Sequence, residues 1–336
     1  MRILLTCVGR RKYLVDYFAK EQDVSLVVGA DMQMDAPGFV GCDAYEQVPS
    51  IYADDYVNSI KNICDRYSID LVVPLNDMEL AILGKARHVL EPDVRLVLSS
   101  DRVINICSDK WETYKFCLEC NIPSPKTYIS VETAVKDIFK GYVCYPLMVK
   151  PRWGSASFGL HKVNDESELV HYFEQCSRNL ANSYLSDFGS ATENVVIQEF
   201  ISGEEYGVDI FNSLDCQFHS STLKKKLSMR SGETDKARTI KNSELSNLTK
   251  QLASKLGHIG NLDCDFFELS GVFYLLEMNP RFGGGYPFSH EAGSNYVRNL
   301  LESAQGIMMT DFGYQENLVF AKCDVVISCA ENYNQK

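Results

Sequence analysis

The sequence predicts two architectures in one chain: an open α/β sheet up to about residue 100, then an α+β, hairpin-rich remainder. Three observations lead there. Short apolar, β-forming runs alternate with helical patterns over residues 2–98, which implies parallel strands joined by right-handed crossovers. From residue 145 onward, strands follow strands across small-residue turns. Near the C-terminal end an apolar run over 272–276 finishes in Glu277-Met278-Asn279-Pro280-Arg281, just before Gly283-Gly284-Gly285.

Taken in order, residues 2–8 (RILLTCV) read as a buried strand, followed by Gly9 and a helix over 11–20. Residues 24–31 form a second strand ending in Asp31. A loop and a helix over 52–67 lead to a third strand at 70–74, and a helix over 78–89 leads to a fourth at 94–98. Ligands of open parallel sheets sit at the carboxyl ends of the strands. The loops there carry Gly9-Arg10-Arg11, Asp31 and Asn76-Asp77-Met78-Glu79. No G-x-G-x-x-G follows the first strand, so there is no dinucleotide fingerprint. These polar loops serve either helix capping, with Asn76 or Asp77 as N-cap, or substrate contact.

The middle changes character. Ser108-Asp109-Lys110 opens a helix that Asn121-Ile122-Pro123-Ser124-Pro125 ends. Residues 145–151 (YPLMVKP) form a strand carrying Lys150. A small-residue loop follows with Gly154, Ser155, Ser157 and Gly159, and a strand resumes over 160–163. A helix over 166–179 precedes strands at 194–201 and 205–211, and another helix covers 244–256. Residues 263–267 and 272–277 read as a hairpin turning at Ser270-Gly271. The expected division is 1–105, 106–200 and 201–336.

With 336 residues, 45% of them hydrophobic and 23% charged, the chain can bury a sizeable core. A net charge of −12 argues against non-specific nucleic-acid binding, and no basic run suits a membrane surface. No apolar stretch reaches transmembrane length, and the start MRILLTCVGRRKYL is too short and too soon charged for a signal peptide. A cytoplasmic protein is expected. The twelve cysteines are scattered and read as reduced and mostly buried. Cys117 and Cys120 have C-x-x-C spacing but lie in a helical stretch without a second pair, so packing is expected over zinc or redox chemistry.

Alternate side chains of a strand share a face, so Glu277, Asn279 and Arg281 converge if the strand runs that far. Glu277 and Asn279 offer oxygen ligands suited to Mg²⁺, and Arg281 offers a fork for phosphate or carboxylate. In the hairpin Asp265 faces Glu277 or lies diagonal to it. Two facing carboxylates repel without a cation, which makes a divalent metal the natural occupant, with Asp263 as second choice. The alternative is a solvated polar turn. The loop 154–159 is flanked by strands and is no Walker-type P-loop, but its glycines permit close approach to phosphates, with Lys150 beside it as a point charge. A flexible surface hairpin is the alternative. At Gln198-Glu199-Phe200-Ile201 a strand running into a linker presents backbone groups to a purine edge, and Glu205 can accept from ribose hydroxyls. Read alone, that segment is equally an acidic turn.

In this order Lys110, Lys150 with its loop, the hinge 198–205, Asp265 and Glu277-x-Asn279-x-Arg281 resemble the ATP-grasp superfamily. The chain most resembles the carbamoyl-phosphate-synthase-like branch, whose members carry endings similar to NPRFGGGYPFSHEAG, and the resemblance covers nearly its whole length. It implies a Rossmann-like pre-ATP-grasp domain followed by a two-subdomain ATP-grasp fold with ATP between the subdomains. Lys110 and Lys150 would hold phosphates under a lid carrying Gly154, Ser155, Ser157 and Gly159. Gln198, Glu199 and Ile201 would hold adenine and Glu205 the ribose. Asp265, Glu277 and Asn279 would bind Mg²⁺, or Mn²⁺ in its place, and Arg281 would stabilise the transferring phosphate.

Arg230, in the basic stretch that begins Lys224-Lys225-Lys226, falls where relatives place a group near the acyl phosphate, so it would hold the acceptor carboxylate. A solvated basic hairpin is the alternative. His290, in a segment expected to line the acceptor pocket, is either a base for the amine or a packed histidine. The implied activity is an ATP- and Mg²⁺-dependent carboxylate–amine ligase acting through an acyl phosphate, with small-molecule carboxylate and amine partners, no nucleic acid, no membrane, and a homodimer as candidate assembly. One ATP-grasp core without a glutaminase-like segment points to a stand-alone ligase. The alternatives are a carboxylate or carbamate kinase-like component of a split synthetase, and a non-catalytic nucleotide-binding protein.

Overall fold

The computed structural model describes residues 1–91, 93–154, 159–181, 193–230 and 232–329. The first sheet contains β1 (Arg2–Thr6), β2 (Leu26–Asp31), β3 (Ala44–Gln47), β4 (Leu71–Pro74) and β5 (Arg95–Leu96), all parallel, in the order β3-β2-β1-β4-β5. The chain runs outward from β1 to β3, then crosses back for β4 and β5. The carboxyl ends of β1 and β4 therefore flank a topological switch point. Ile3, Leu4 and Leu5 are fully buried, as a sheet covered on both faces requires.

Two expectations need correcting here. The loop after β2 contains β3, whose Ala-Tyr-Glu-Gln sequence has no apolar run and forms by pairing at the sheet edge, Val28 opposite Ala44. The helix over 78–89 is two helices, Asp77–Lys85 and Arg87–Leu90.

The second sheet is antiparallel and comprises β6 (Thr127–Tyr128), β7 (Leu147–Pro151), β8 (His161–Val163) and β9 (Val195–Glu199), in the order β6-β9-β7-β8. Helices Val131–Phe139 and Glu166–Ala181 accompany it. It has its own core, with Leu147, Val149, Val163, Leu169 and Ile197 at its centre. Ser155 and Ser157, from the expected lid, lie outside the described residues.

The third sheet contains β10 (Glu204–Asn212), β11 (Phe218–Arg230), β12 (Glu233–Ile240), β13 (Gly260–Leu269), β14 (Val272–Asn279) and β15 (Val319–Ala321), antiparallel in the order β14-β13-β10-β11-β12-β15. Leu245, Leu252 and Leu256 of helix Ser243–Leu256 cover one face, against Val208, Leu223 and Leu262. Helices Tyr286–Glu291 and Tyr296–Gln305 then reach the first sheet. Phe282, Tyr286, Tyr296 and Leu300 share one core with Ile3, Phe18, Phe39 and Leu71. The first and third sheets are thus joined by a common apolar interior, while the second keeps its own.

All twelve cysteines are unpaired, with Cys117 in the core and Cys120 half-buried beside it. Among the described residues no helix is long and apolar enough to cross a membrane.

Candidate active site

The face of the third sheet opposite helix Ser243–Leu256 carries the charge. Strand alternation sends Leu262, Cys264, Phe266 and Met278 into the core and leaves Asp263, Asp265, Glu277 and Asn279 on the other side. The register sets Asp265 directly opposite Glu277 and Asp263 opposite Asn279. Of the two arrangements the sequence allows for Asp265, the facing one occurs. The next strand brings Gly207 opposite Asp265 and Asp209 opposite Asp263. Gly207 matters by its smallness: a Cβ there would lie 3.3 Å from Lys226 Cε and 3.8 Å from Lys224 Cε, so both lysine stems cross over it.

The Lys224-Lys225-Lys226 run is therefore no solvated hairpin. Its alternation turns Lys225 outward to Glu204 and the other two into the site. Lys226 Nζ lies 2.7 Å from both Glu205 Oε1 and Asp265 Oδ1, with only 5% of its side chain exposed. Lys224, also buried, pairs with Asp209 and donates to Ser289 Oγ at 2.6 Å, while Ser289 donates to Asp209 at 2.5 Å. Asn261 Nδ2 donates to the remaining Asp209 oxygen at 3.2 Å. Burial pushes Asp265 up to about 7 against the pull of Lys226. It also raises Asp263, against the charge of Arg281.

Lys110 and Lys150 enter from other elements. Lys110 opens helix Lys110–Cys120, which Asp109 caps by accepting from Trp111 N at 2.9 Å. Arg152 grips the same carboxylate through Nε and Nη2, at 2.8 and 2.7 Å. Lys110 Nζ donates to the Gly154 carbonyl at 2.7 Å. Lys150, on β7, donates to Gln198 Oε1 on β9 at 2.6 Å, and Gln198 Nε2 donates to Thr127 Oγ1 at 3.0 Å. Desolvation lowers both lysines. Lys150 falls to about 7, helped down by the charge of Lys110, and Glu277 draws both back up. Three side chains from helix Lys110–Cys120, β7 and β14 therefore sense one another. Beside them Glu199 Oε2 accepts from Lys126 N at 3.2 Å, and Ile201 is buried.

Arg281 is not on the strand. β14 stops at Asn279, before Pro280, which has no N–H to donate to a ladder. The alternation argument thus reaches Asn279 and fails one pair later. Arg281 is aimed instead by a turn, its amide donating to Asn279 O at 2.8 Å. Nη1 lies 3.0 Å from Asp263 Oδ2 and Nη2 lies 2.7 Å from Asp77 Oδ2. Asp77 opens helix Asp77–Lys85, and Asn76 is that helix's N-cap, accepting from Met78 N at 2.9 Å. The two expectations for this loop are thus divided between neighbours: Asn76 caps, and Asp77 reaches the site. Gly283 packs so closely that a Cβ would sit 2.2 Å from Asp263 Cγ.

Two candidates are held differently. Arg230, 49% exposed near the β11–β12 turn, pairs with Asp324 at 2.7 Å and Asp235 at 3.1 Å. None of the other predicted site residues is among those partners. His290 stacks on Tyr17 with centroids 3.6 Å apart, its Nδ1 is 3.1 Å from Tyr286 Oη, and burial lowers it to about 4. These contacts are those of a packed histidine, one of the readings the sequence allows. A groove of about 1100 Å³ at the β5 edge, lined by Arg87, Arg95, Leu96, Leu214 and Ile259, contains none of the predicted site residues.

Among the described residues no group of three or more His, Cys, Asp or Glu side chains could hold a metal ion. Asp265, Glu277 and the Asn279 amide make a smaller set. That set fits Mg²⁺, which retains waters and takes phosphate oxygens beside one or two carboxylates. Sequence reasoning missed Asp209, Asn261 and the Asp77–Arg281 contact, and it named Ser289 only as part of the segment expected to line the acceptor pocket, without its bonds to Lys224 and Asp209. For Asp209 a signal existed, since Glu205-x-Gly207-x-Asp209 and Lys224-x-Lys226 share the two-residue period of Asp263-x-Asp265.

Comparisons with known proteins identify the family and the fold. The family model for the ATP-grasp domain matches residues 107–285, more than half of the chain, and a PylC-like N-terminal domain matches residues 3–97. The chain belongs to the ATP-grasp family, and membership makes ATP with Mg²⁺ its cofactor pair. It is 26% identical over 247 residues to the carbamoyl phosphate synthase large chain of Caldanaerobacter subterraneus subsp. tengcongensis, covering 70% of this chain and 22% of that one. The large chain of a Thermoanaerobacter species is 25% identical, with 67% and 21% covered. The protein thus spans about a fifth of these relatives' length. Among solved structures, biotin carboxylase from Campylobacter jejuni shares the fold at a TM-score of 0.74 and 14% identity, covering 93% of this chain and 73% of that one. N5-carboxyaminoimidazole synthetase from Staphylococcus aureus shares it at 0.69 and 15%, covering 93% and 79%. The predicted fold class, a parallel α/β sheet followed by antiparallel ATP-grasp sheets, is the observed one.

Proposed function

We propose that the protein is a carboxylate–amine ligase that uses ATP and Mg²⁺ and releases ADP and phosphate. The observation that carries this reading is the register that sets Asp265 opposite Glu277 and Asp263 opposite Asn279, with Glu277 close enough to act on the charges of Lys110 and Lys150 from two other elements. Two lysines are not desolvated next to each other without an anion to justify it, and a polyphosphate is such an anion.

Lys110 and Lys150 hold the phosphates, with Gly154, Ser155, Ser157 and Gly159 in the loop over them. Gln198, Glu199 and Ile201 face the adenine, and Glu205 the ribose. Asp265, Glu277 and Asn279 hold Mg²⁺, or Mn²⁺ in its place; when bound, the ion neutralises charge on the phosphate oxygens. Arg281 steadies the γ-phosphate as a substrate carboxylate oxygen attacks phosphorus and ADP leaves. The amine then attacks the acyl carbon, phosphate departs, and the amine loses a proton. Arg230 is assigned to the acceptor carboxylate, which requires it to leave Asp324. The proposed division of the chain is 1–105, 106–200 and 201–336, in a cytoplasmic protein able to form a homodimer.

The test is an amine-by-carboxylate matrix assayed for phosphate release, with product mass checked for loss of water. The expected outcome is release that requires both substrates, cut at least about 100-fold by Glu277→Gln with circular dichroism unchanged. Release with the carboxylate alone would favour a kinase-like activity, and no release anywhere a binding protein.

A further inference from the structure

We propose that Asp77, a residue of the first sheet's body, is a positioning residue for Arg281. The proposal rests on the phosphate-stabilising role given to Arg281 above. Three observations lead to it.

The first is two-point holding. Arg281 touches Asp263 through Nη1 and Asp77 through Nη2, at 3.0 and 2.7 Å, and only 10% of its side chain is exposed. A guanidinium on a long flexible stem has many rotamers. One carboxylate would let the fork pivot about its contact, whereas two on different nitrogens fix its plane. The Asp263 anchor is itself packed against Gly283, so Asp77 supplies the second and independent constraint.

The second is that the contact leaves hydrogen-bonding capacity unspent. Arg281 Nε and Asp77 Oδ1 are both buried and have no partner among the described residues. An unmet buried polar atom is unfavourable, because it has given up water and gained no partner. A purely structural bridge in a seam would be expected to use up such atoms. An arginine oriented for something else keeps a donor in hand.

The third is local. Asp77 stands at the first helical position but does not cap, because Asn76 already does. Its carboxylate is therefore released from the usual duty of an acid at a helix start, and it spans from the carboxyl edge of the parallel sheet to the end of β14.

The experiment uses MgADP with aluminium fluoride as a mimic of the transferring phosphoryl group, so it needs no acceptor substrate. Affinity for MgADP alone and for the fluoride-trapped complex is measured in the full chain and in Asp77→Ala, Asp77→Asn, Arg281→Ala and Asp23→Asn. Asp23 pairs with Arg298 between the same two bodies but away from the site, so its variant reports on the seam as such. The expected result is MgADP affinity within about twofold throughout, trapped-complex affinity about 10- to 100-fold weaker in Asp77→Ala and Arg281→Ala, an intermediate loss in Asp77→Asn, and none in Asp23→Asn. Should Asp77→Ala fail to fold, Asp77→Asn, of the same shape, carries the comparison.

Trapping lost in Arg281→Ala but kept in both Asp77 variants overturns the role of Asp77 alone. Equal losses in Asp23→Asn overturn it as well, by assigning the effect to domain docking. Trapping kept in Arg281→Ala overturns the role of Arg281 on which the proposal stands.

Discussion

Lys150 shows how far a single side chain can report on the whole site. Desolvation and the neighbouring Lys110 lower it to about 7, far below the usual lysine range. A phosphate partner restores the charge. Nucleotide binding above pH 7 should therefore take up a proton, and affinity should fall as pH rises, by up to about tenfold per pH unit. Calorimetry at pH 8.5 in two buffers of different ionisation enthalpy should show buffer-dependent heats, absent in Lys150→Met. The sign for folding is opposite to that of a stabilised lysine. The folded pKa lies below the unfolded value of 10.5, so the unfolded chain binds more protons between them, and stability rises with pH across that window. The buried Lys224–Asp209 pair makes a second case. Lys224→Met should destabilise by about 3–5 kcal/mol in urea denaturation, because Asp209 would stay buried without its cation. Adding Asp209→Asn should recover a large part of that loss.

At the next level, the elements carry precise instructions in a few residues. Gly283 is one: alanine there would place a Cβ 2.2 Å from Asp263 Cγ. Gly283→Ala should cost about 1–3 kcal/mol and lower turnover more than nucleotide affinity, since the shift falls on the Arg281 anchor. Urea denaturation and nucleotide titration together check this. The sequence made the β13–β14 hairpin legible because its alternation of apolar and acidic residues is strict, and the same rule located Glu277 and Asn279. It could not place Arg281, because Pro280 ends the ladder and a turn takes over. Nor could it announce β3, whose edge position needs no apolar run, or the depth of Lys224 and Lys226, which depends on Gly207 in a neighbouring strand. Local patterns are written in sequence; which charged face meets which is written in register and crossing.

Considered as one molecule, the protein keeps the apolar core of its second sheet apart from the interior that the first and third sheets share. Tyr286, Tyr296 and Leu300 share a core with the first sheet, and Tyr17–Glu291, Asn295–Glu21 and Arg298–Asp23 contacts close the seam. The second sheet keeps a separate core around Leu147, Val149 and Ile197. Hydrogen exchange should accordingly find amides of β6, β7, β8 and β9 opening at lower free energy than those of β1, β4 and β13, with MgATP narrowing the difference. Equal protection in both parts would contradict that division. The ion pairs described for the site have a further consequence for how a ligand gets in. Lys226 already rests on Asp265 and Glu205, and Arg281 on Asp263 and Asp77. At Lys226 and Arg281 entry is therefore counter-ion exchange, whereas Lys110 and Lys150 rest only on the Gly154 carbonyl and the Gln198 amide oxygen. A nucleotide arriving alone would strand the acids it displaces, whereas one arriving with a divalent cation gives Asp265 a replacement partner in the same event. A site of the proposed composition should therefore bind MgATP in preference to sulfate or metal-free ATP before any recognition of the base begins, which titration with and without EDTA checks.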